Sequence, residues 1–396
     1  MHPDSSSPVL KDLRILDFGW VLAGPFATRL LGDYGAEVIK IQPLLPQAAD
    51  SYSRAYYRTW NRNKLGIGLD LSKTEGLDIA RRLVKISDVV VENFSPRVFE
   101  NWGLDYPRLK ELKPDIILLS LSLMGHSGPW RDFAGFGPGA QAAAGMTYIT
   151  AYADNAPVGL GYAFADHMAG LYGALAVLGA LEYRDRTGKG QFIDLSQTET
   201  LLSLLAEPFY QYFFTGKTPE AQGNRSEKAA PQGVYACRGE DQWCAITVAS
   251  DAEWQRFKAV MGFPAWAEDI RYHNVSGRLS RQDELDIRIG EWTALHTAEE
   301  IAAGLQTAGI AAEPVKNTAE LSGDAHLQAR GFFQHGESGV EPPDVMDRSP
   351  IRLSDTPAGY HNPAPETGRD NLYILKDLLG MSDSDVSHLM ANKVIA

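Results

Sequence analysis

Along the first 125 or so residues, short apolar runs alternate with stretches of helical spacing. Leu13-Arg14-Ile15-Leu16-Asp17-Phe18 has strand length and ends at Gly19. Pro25 to Tyr34 then repeats its apolar residues every three or four positions and closes at Gly35, a C-cap position. Glu37 to Ile41 is the next strand. Leu71-Ser72-Lys73-Thr74-Glu75 reads as a capping box, Ser72 with Glu75, opening a helix to Ile86. Further strands are expected at Asp88 to Val91 and Asp115 to Ser122, separated by short helical pieces at Pro96 to Trp102 and Pro107 to Leu112. The last strand is apolar at successive positions, as in a parallel strand covered on both faces. The alternation predicts an α/β fold built on a Rossmann-like open parallel sheet. Ligands of such sheets sit outside the carboxyl ends of the strands, here Gly19 to Gly24, Gln42 to Leu44, Asn93 to Ser95 and Ser122 to Gly128.

Downstream, Asp166 to Arg184 carries Ala, Gly and Leu on nearly every side, which predicts a central, tightly packed helix. Its apolar stretch, Leu171 to Leu181, is too short to cross a bilayer. Polar residues accumulate from Thr215 to Ala230, then strands are expected at Gly233 to Ala236 and Trp243 to Val248, followed by helices. A Pro- and Gly-rich stretch from Phe332 ends in a short helix. This pattern divides the chain into a large Rossmann-like domain over 1–222, a smaller α+β domain over 223–325 and a segment over 326–396 that returns to the large domain.

Length supports that division, since 396 residues exceed the usual size of one core. The formal charge of -13 argues against a nucleic-acid surface or an anionic membrane, so any polyanionic ligand needs a local basic patch. Met1 to Pro8 has neither the cationic nor the apolar segment of a signal peptide, which points to the cytoplasm. Cys237 and Cys244, without a His at metal-ligand spacing, read as core residues in a reducing compartment, with no zinc. Gly135-x-Gly137-x-Gly139 has no strand before it, and Gly216-Lys217-Thr218 has Gln211 where a phosphate loop has its first glycine. Neither motif supports a nucleotide fold.

Among groups that carry chemistry, Asp166 opens the apolar helix, where a carboxylate caps free amides and is favoured by the helix dipole. On residue physics alone it is a cap. His126, at a strand end, reads as a solvated loop residue or an acid/base group, and His167 as a packing or site residue. Arg54, Arg58 and Arg62 recur every four residues ahead of Lys64, which makes either a solvated helix face or a seat for phosphates. Tyr148, Tyr152, Tyr162, Phe164 and Tyr210 are core residues or the lining of an apolar acyl pocket.

Several stretches in fixed order carry a resemblance nearly from end to end. They are Ile15-Leu16-Asp17 with Val21 to Pro25, Gly35 to Ile41, Asn61-Arg62-Asn63-Lys64 through Leu69-Asp70-Leu71, and Val91-Glu92-Asn93-Phe94. Gly103 to Tyr106, Gly128 to Asp132, Ala165-Asp166 and Thr187 to Gln191 complete the set. Together they resemble the family III CoA-transferases, the CaiB/BaiF family that includes formyl-CoA and carnitine CoA-transferases. The resemblance implies a CoA-transferase of the interlocked-dimer type, a homodimer or a heterodimer with a related subunit such as benzylsuccinate CoA-transferase. CoA or acyl-CoA and a carboxylic acid are then its substrates, succinyl-CoA being one expected donor, with no permanently bound cofactor and no metal. The family's nucleophile falls on Asp166, and its CoA-contacting positions on Leu22, Ala23, Leu69, Ser72, Asn93, Phe94, Ser95 and Phe136.

The sequence also departs from the best-known members. Basic positions of those members fall on Pro43 and Asn101, with Arg97 as a substitute, and the acidic residue that supports the formyl enzyme's nucleophile falls on Gly137. The catalytic His of the related α-methylacyl-CoA racemases falls on Phe136. An acyl-CoA isomerase of the same fold and a CoA-binding subunit with an idle aspartate remain as alternative readings.

Overall fold

The apolar runs become strands of one parallel sheet. The structure, a computed structural model, describes residues 8–44, 51–152, 156–335 and 345–395, with the backbone alone for 51–54 and His335. In chain order the elements are β1 (Arg14–Asp17), α1 (Ala23–Asp33), β2 (Glu37–Gln42), α2 (Ser51–Asn61), β3 (Lys64–Gly68), α3 (Thr74–Lys85) and β4 (Val89–Glu92). Then come α4 (Pro96–Trp102), α5 (Tyr106–Leu112), β5 (Ile117–Ser120), α6 (Gly137–Ala143), α7 (Met146–Ile149), α8 (Phe164–Thr187), β6 (Phe192–Asp194), α9 (Gln197–Leu204) and α10 (Ala206–Thr215). The six strands lie in the order β3-β2-β1-β4-β5-β6, all parallel, so the strand order reverses between β1 and β4. Two of these strands were not expected. β3 reads Lys-Leu-Gly-Ile-Gly, whose glycines dilute the strand signal, and β6 has only three residues.

Successive strand residues face opposite layers, and both layers are apolar. Leu16, Ile39, Ile67, Val90 and Leu118 pack with Ile79, Leu83, Phe99 and Leu109 on one face. Ile15, Val38, Val89, Val91, Ile117 and Leu119 pack with Ala27, Leu31, Ala169 and Val177 on the other. That explains the continuous apolar character of the strands.

Two compact units emerge from the described chain. The first comprises Met1–Thr147, Gly159–Pro219 and Gln328–Ala396, and the second Tyr148–Val158 and Glu220–Leu327. The second holds an antiparallel sheet of β7 (Gln232–Ala236), β8 (Trp243–Thr247) and β9 (Ala311–Pro314), with a core of its own around Trp254, Phe257, Leu285 and Ile301. Cys237 and Cys244 are buried there as free thiols. In the first unit the C-terminal segment covers the edge of the parallel sheet. Asp370 accepts from the Gly66 amide at 2.7 Å and Asn371 from the Gly68 amide at 3.1 Å, while Ile374, Leu375 and Leu389 enter the core.

α8 departs from the expectation of a helix packed on every side. It runs 24 residues, long and apolar enough by length and composition to span a bilayer, because its apolar stretch continues past the run counted in the sequence. One face, with Ala165, Ala169, Gly170, Gly173 and Val177, is buried, while Leu171, Leu175 and Leu178 are exposed. A Cβ on Gly170 would sit 3.0 Å from the Ala23 carbonyl and 2.8 Å from the Phe26 ring, so this glycine is what lets α8 lie against the start of α1.

Two members of the basic cluster, Arg62 and Lys64, are structural. Arg62 lies beyond the end of α2, fully buried, and grips Asp33 through two nitrogens at 2.7 and 3.0 Å and Asp347 at 3.0 Å. Lys64 is buried on Asp17 at 2.9 Å. Neither is placed to hold phosphates, because both are committed to buried carboxylates. The side chain of Arg54 lies outside the described residues. Ser72 bonds Asp70 at 2.6 Å instead of capping α3, whose N-cap is Lys73 without a side-chain bond; Ser72 stands one position too early to cap it.

Asp17 joins most of the strand-end architecture. It is fully buried and accepts from the Gly19 amide (2.7 Å), Thr28 (2.7 Å), Lys40 (3.2 Å) and Lys64 (2.9 Å). Burial alone would raise its pKa, but Lys40 and Lys64 outweigh that and hold it near about 2. Asp17→Asn leaves two ammonium groups buried without a counter-charge, and we expect a loss of about 3–5 kcal/mol of stability, read as a lower urea midpoint.

Candidate active site

Asp166 occupies the first turn of α8 and is 9% exposed. Burial raises its carboxyl pKa to about 6, against the lowering effect of its own amide. Burial is the larger effect, so Asp166 is a desolvated carboxylate whose charged form is favoured by its own backbone amide. The backbone of Gly137, at the start of α6, lies directly against it, and a Cβ there would collide with Oδ2 of Asp166. The space that a side chain at position 137 would take is filled by the Asp166 carboxylate.

The loops at the β1/β4 reversal are tied together next to this group. Asn93 pairs twice with the Trp20 backbone, accepting from its amide at 2.8 Å and donating to its carbonyl at 3.0 Å. Phe94 stacks on Trp20 at 6.3 Å, and Phe136 lies tilted at 6.3 Å from the same ring. Glu92, buried at the end of β4, accepts from the Phe94 amide at 2.7 Å and from Ser120, and Ser120 in turn meets Nε2 of His126 at 2.6 Å. His126 is therefore anchored to the sheet and is not the free loop residue expected, because Ser120, Glu92 and Asp194 surround it.

The structure brings together only part of the site set read from the sequence. Asp166, Phe136, Asn93, Phe94, Leu22 and Ala23 converge around α1, α6 and α8, with Leu22 and Ala23 buried at the start of α1. Leu69, buried, and Ser72, exposed, follow β3, with β2 and β1 standing between that strand and β4. Ser95 is the N-cap of α4 without a side-chain bond, and Arg97 is exposed and paired with Asp132 at 3.3 Å. Trp20 and Glu92 were missed. A tryptophan in the loop directly after β1 was the signal for the first, and an acidic end to an apolar strand for the second.

His167, beside Asp166, packs as a neutral ring. Its Nδ1 lies 2.7 Å from the Ala163 carbonyl, Tyr162 stacks on it at 4.4 Å, and burial lowers its pKa. Tyr148, Tyr152, Tyr162 and Tyr210 are exposed, so these four are not core residues. No group of three or more His, Cys, Asp or Glu suited to a metal occurs among the described residues.

The raised pKa of Asp166 sets a sign for stability. The folded value, about 6, lies above the ordinary 3.8, so the native state holds this proton more tightly than the unfolded chain and loses stability as pH rises through that window. Asp166→Asn removes the charge. We expect it to unfold at higher urea than wild type near pH 8, by about 1–3 kcal/mol, and to match wild type near pH 4.

The model of CoA-transferase family III matches residues 10–371. Succinyl-CoA–D-citramalate CoA-transferase of Chloroflexus aurantiacus is 36% identical, over 98% of this chain and 98% of its own. Succinate–glutarate CoA-transferase of Agrobacterium fabrum is 33% identical, over 94% of this chain and 96% of its own. The beta subunit of the Chloroflexus aurantiacus succinyl-CoA–L-malate CoA-transferase is 31% identical, over 98% of both chains. The crystal structure of a CaiB/BaiF family protein from Brucella suis matches with a TM-score of 0.86 and 30% identity, covering 94% of this chain and 100% of that one. By sequence and by fold alike, this chain belongs to CoA-transferase family III and is a CoA-transferase.

Proposed function

We propose that the chain moves CoA from succinyl-CoA to a small dicarboxylic acid through covalent intermediates on Asp166. The observation that carries this reading is the single buried carboxylate with a raised pKa at the start of α8, pressed against the Gly137 backbone. The Asp166 carboxylate attacks the thioester carbonyl, the C–S bond breaks, and a mixed anhydride and CoA thiolate result. Thiolate then attacks the aspartyl carbonyl, releasing succinate and leaving CoA on Asp166 as a thioester. The acceptor carboxylate attacks that thioester, and the thiolate finally takes the acceptor's acyl group, restoring the aspartate. No net proton is consumed.

A carboxylate is a weak nucleophile, and desolvation together with fixed geometry supplies what it lacks. Oxyanions formed at each attack need donors in place. The first-turn amide of α8 at Ala165, and those of α1 at Ala23 and Gly24, have no intrahelical acceptor by position and suit that role. Arg97, exposed on α4, is the basic side chain of the expected site set that a CoA phosphate can reach by displacing Asp132.

The named substrates of the relatives, citramalate, glutarate and malate, are aliphatic diacids, and they support such an acceptor over an aromatic succinate. Two free buried cysteines fit a reducing cytoplasm. Incubation with succinyl-CoA should attach CoA to Asp166, read by peptide mass spectrometry as the mass of CoA less one water, and Asp166→Asn should show none. No adduct on wild type with several acyl-CoA donors would sink this reading in favour of an isomerase or of a subunit whose partner carries the reaction.

We also infer a dimer with a second copy or a related subunit. Leu171, Leu175 and Leu178 line one exposed stripe of α8, and Phe209, Phe213 and Phe214 are exposed on α10, more apolar surface than a solvated monomer usually leaves open. Light scattering of the purified chain should give twice the chain mass, and Leu175→Glu with Phe213→Glu should shift it to one; an unchanged dimer in that variant would move the interface elsewhere.

A further inference from the structure

Trp20 is an anomaly in the strand-end crevice. Its backbone is latched at both polar atoms by the Asn93 amide, yet its indole is 51% exposed. The next residue, Val21, holds φ at +58°, a left-handed conformation that is a true outlier for a β-branched side chain and persists only where its surroundings enforce it. A strained, latched turn thus presents a large ring to solvent. Phe136, 61% exposed, lies 6.3 Å from that ring at a tilt of 53°, and the residue after it is the glycine that touches Asp166. Phe94 also stacks on Trp20 and is itself backed by Phe99 and Trp102. The result is an aromatic strip that starts beside the reactive carboxylate and is anchored at its far end in the core.

We propose that Trp20 and Phe136 close over the pantetheine arm of the CoA thioester on Asp166 and keep water from its carbonyl. This rests on the aspartyl-thioester reading above. Rings so near Asp166 face the cysteamine end of CoA and the thioester; the adenine lies at the far end of the pantetheine arm. Pantetheine is a flexible amide chain with apolar methylene segments, a fitting partner for ring faces and edges. The need is chemical. Water attacking the aspartyl thioester forms a C–O bond, breaks the C–S bond and releases CoA thiol with Asp166 restored, so every such event loses a donor without product. Desolvation suppresses that branch. Asn93 holds the Trp20 backbone at both polar atoms, so the turn that carries the indole is fixed on the sheet.

The test is the partition between hydrolysis and transfer. Wild type, Trp20→Ala, Trp20→Phe and Phe136→Ala are each given succinyl-CoA with and without a diacid acceptor, and free thiol and acceptor-CoA are quantified after subtracting the loss without protein. Both alanine variants should raise the ratio of hydrolysis to transfer about tenfold or more while the Asp166 adduct still forms, and Trp20→Phe should stay within about threefold of wild type. Alanine variants that form less adduct or show a higher KM for succinyl-CoA at an unchanged ratio would make the rings simple binding contacts and overturn the shield. A wild type that never forms the adduct would remove the aspartyl-thioester reading and this inference with it.

Discussion

One carboxylate without access to water, Asp17, holds together the end of the sheet where the chemistry is placed. Its two oxygens reach the turn after β1, the first helix, β2 and the start of β3 through Gly19, Thr28, Lys40 and Lys64. Two buried ammonium groups on one carboxylate leave an excess positive charge inside the protein. Burial accordingly depresses the pKa of both lysines, that of Lys64 to about 7 even with Asp17 beside it. The Pro25 carbonyl and the Asn61 side chain, at 2.9 and 3.0 Å from Lys64, replace part of the lost water. Such an arrangement tolerates little displacement, because any shift strands a charge.

That rigidity reaches the crevice from below, and Asn93 supplies it from the side. The turn between β1 and α1 is therefore fixed on both flanks at the reversal of strand order, which is where open α/β sheets place their ligands. α8 is seated against the same turn by Gly170, whose missing side chain allows contact with the Ala23 carbonyl. Asp166, one turn earlier in α8, is carried into position by that packing. Its carboxyl is then buried by the Gly137 backbone, without a counter-ion, and its pKa rises. Packing of small residues, more than any specific polar contact, creates the environment of Asp166.

A second, largely buried network, Arg29 and Arg62 with Asp33 and Asp347, fastens the C-terminal segment to the rest of the large unit. Arg29 donates to Asp347 at 2.7 Å while its guanidinium lies 5.1 Å from the Trp60 ring centre and 5.2 Å from that of Phe26. Planar, always-charged guanidinium groups suit this role better than lysine, since each serves two partners at once. Arg62 and Lys64, which sit in a basic cluster suited by sequence to an anionic ligand, are here consumed by the fold.

The sequence by itself determined the α/β class and most strands and helices, and through family resemblance it put Asp166 forward as the nucleophile. These are local or collinear properties: apolar runs of strand length, helical spacing and ordered motifs survive without knowledge of partners. Strands β3 and β6 escaped because two glycines in one and three residues in the other carry too little pattern. Only the tertiary structure decided which charges are spent internally, that Gly137 touches Asp166, and that Trp20 is latched by Asn93. Among the internal charge pairs, Asp17 and Lys40 are 23 positions apart and Arg29 and Asp347 are 318 apart, and Trp20 is 73 positions from Asn93. Distance in the chain carries no record of distance in space, and a side chain's chemistry is fixed by the latter.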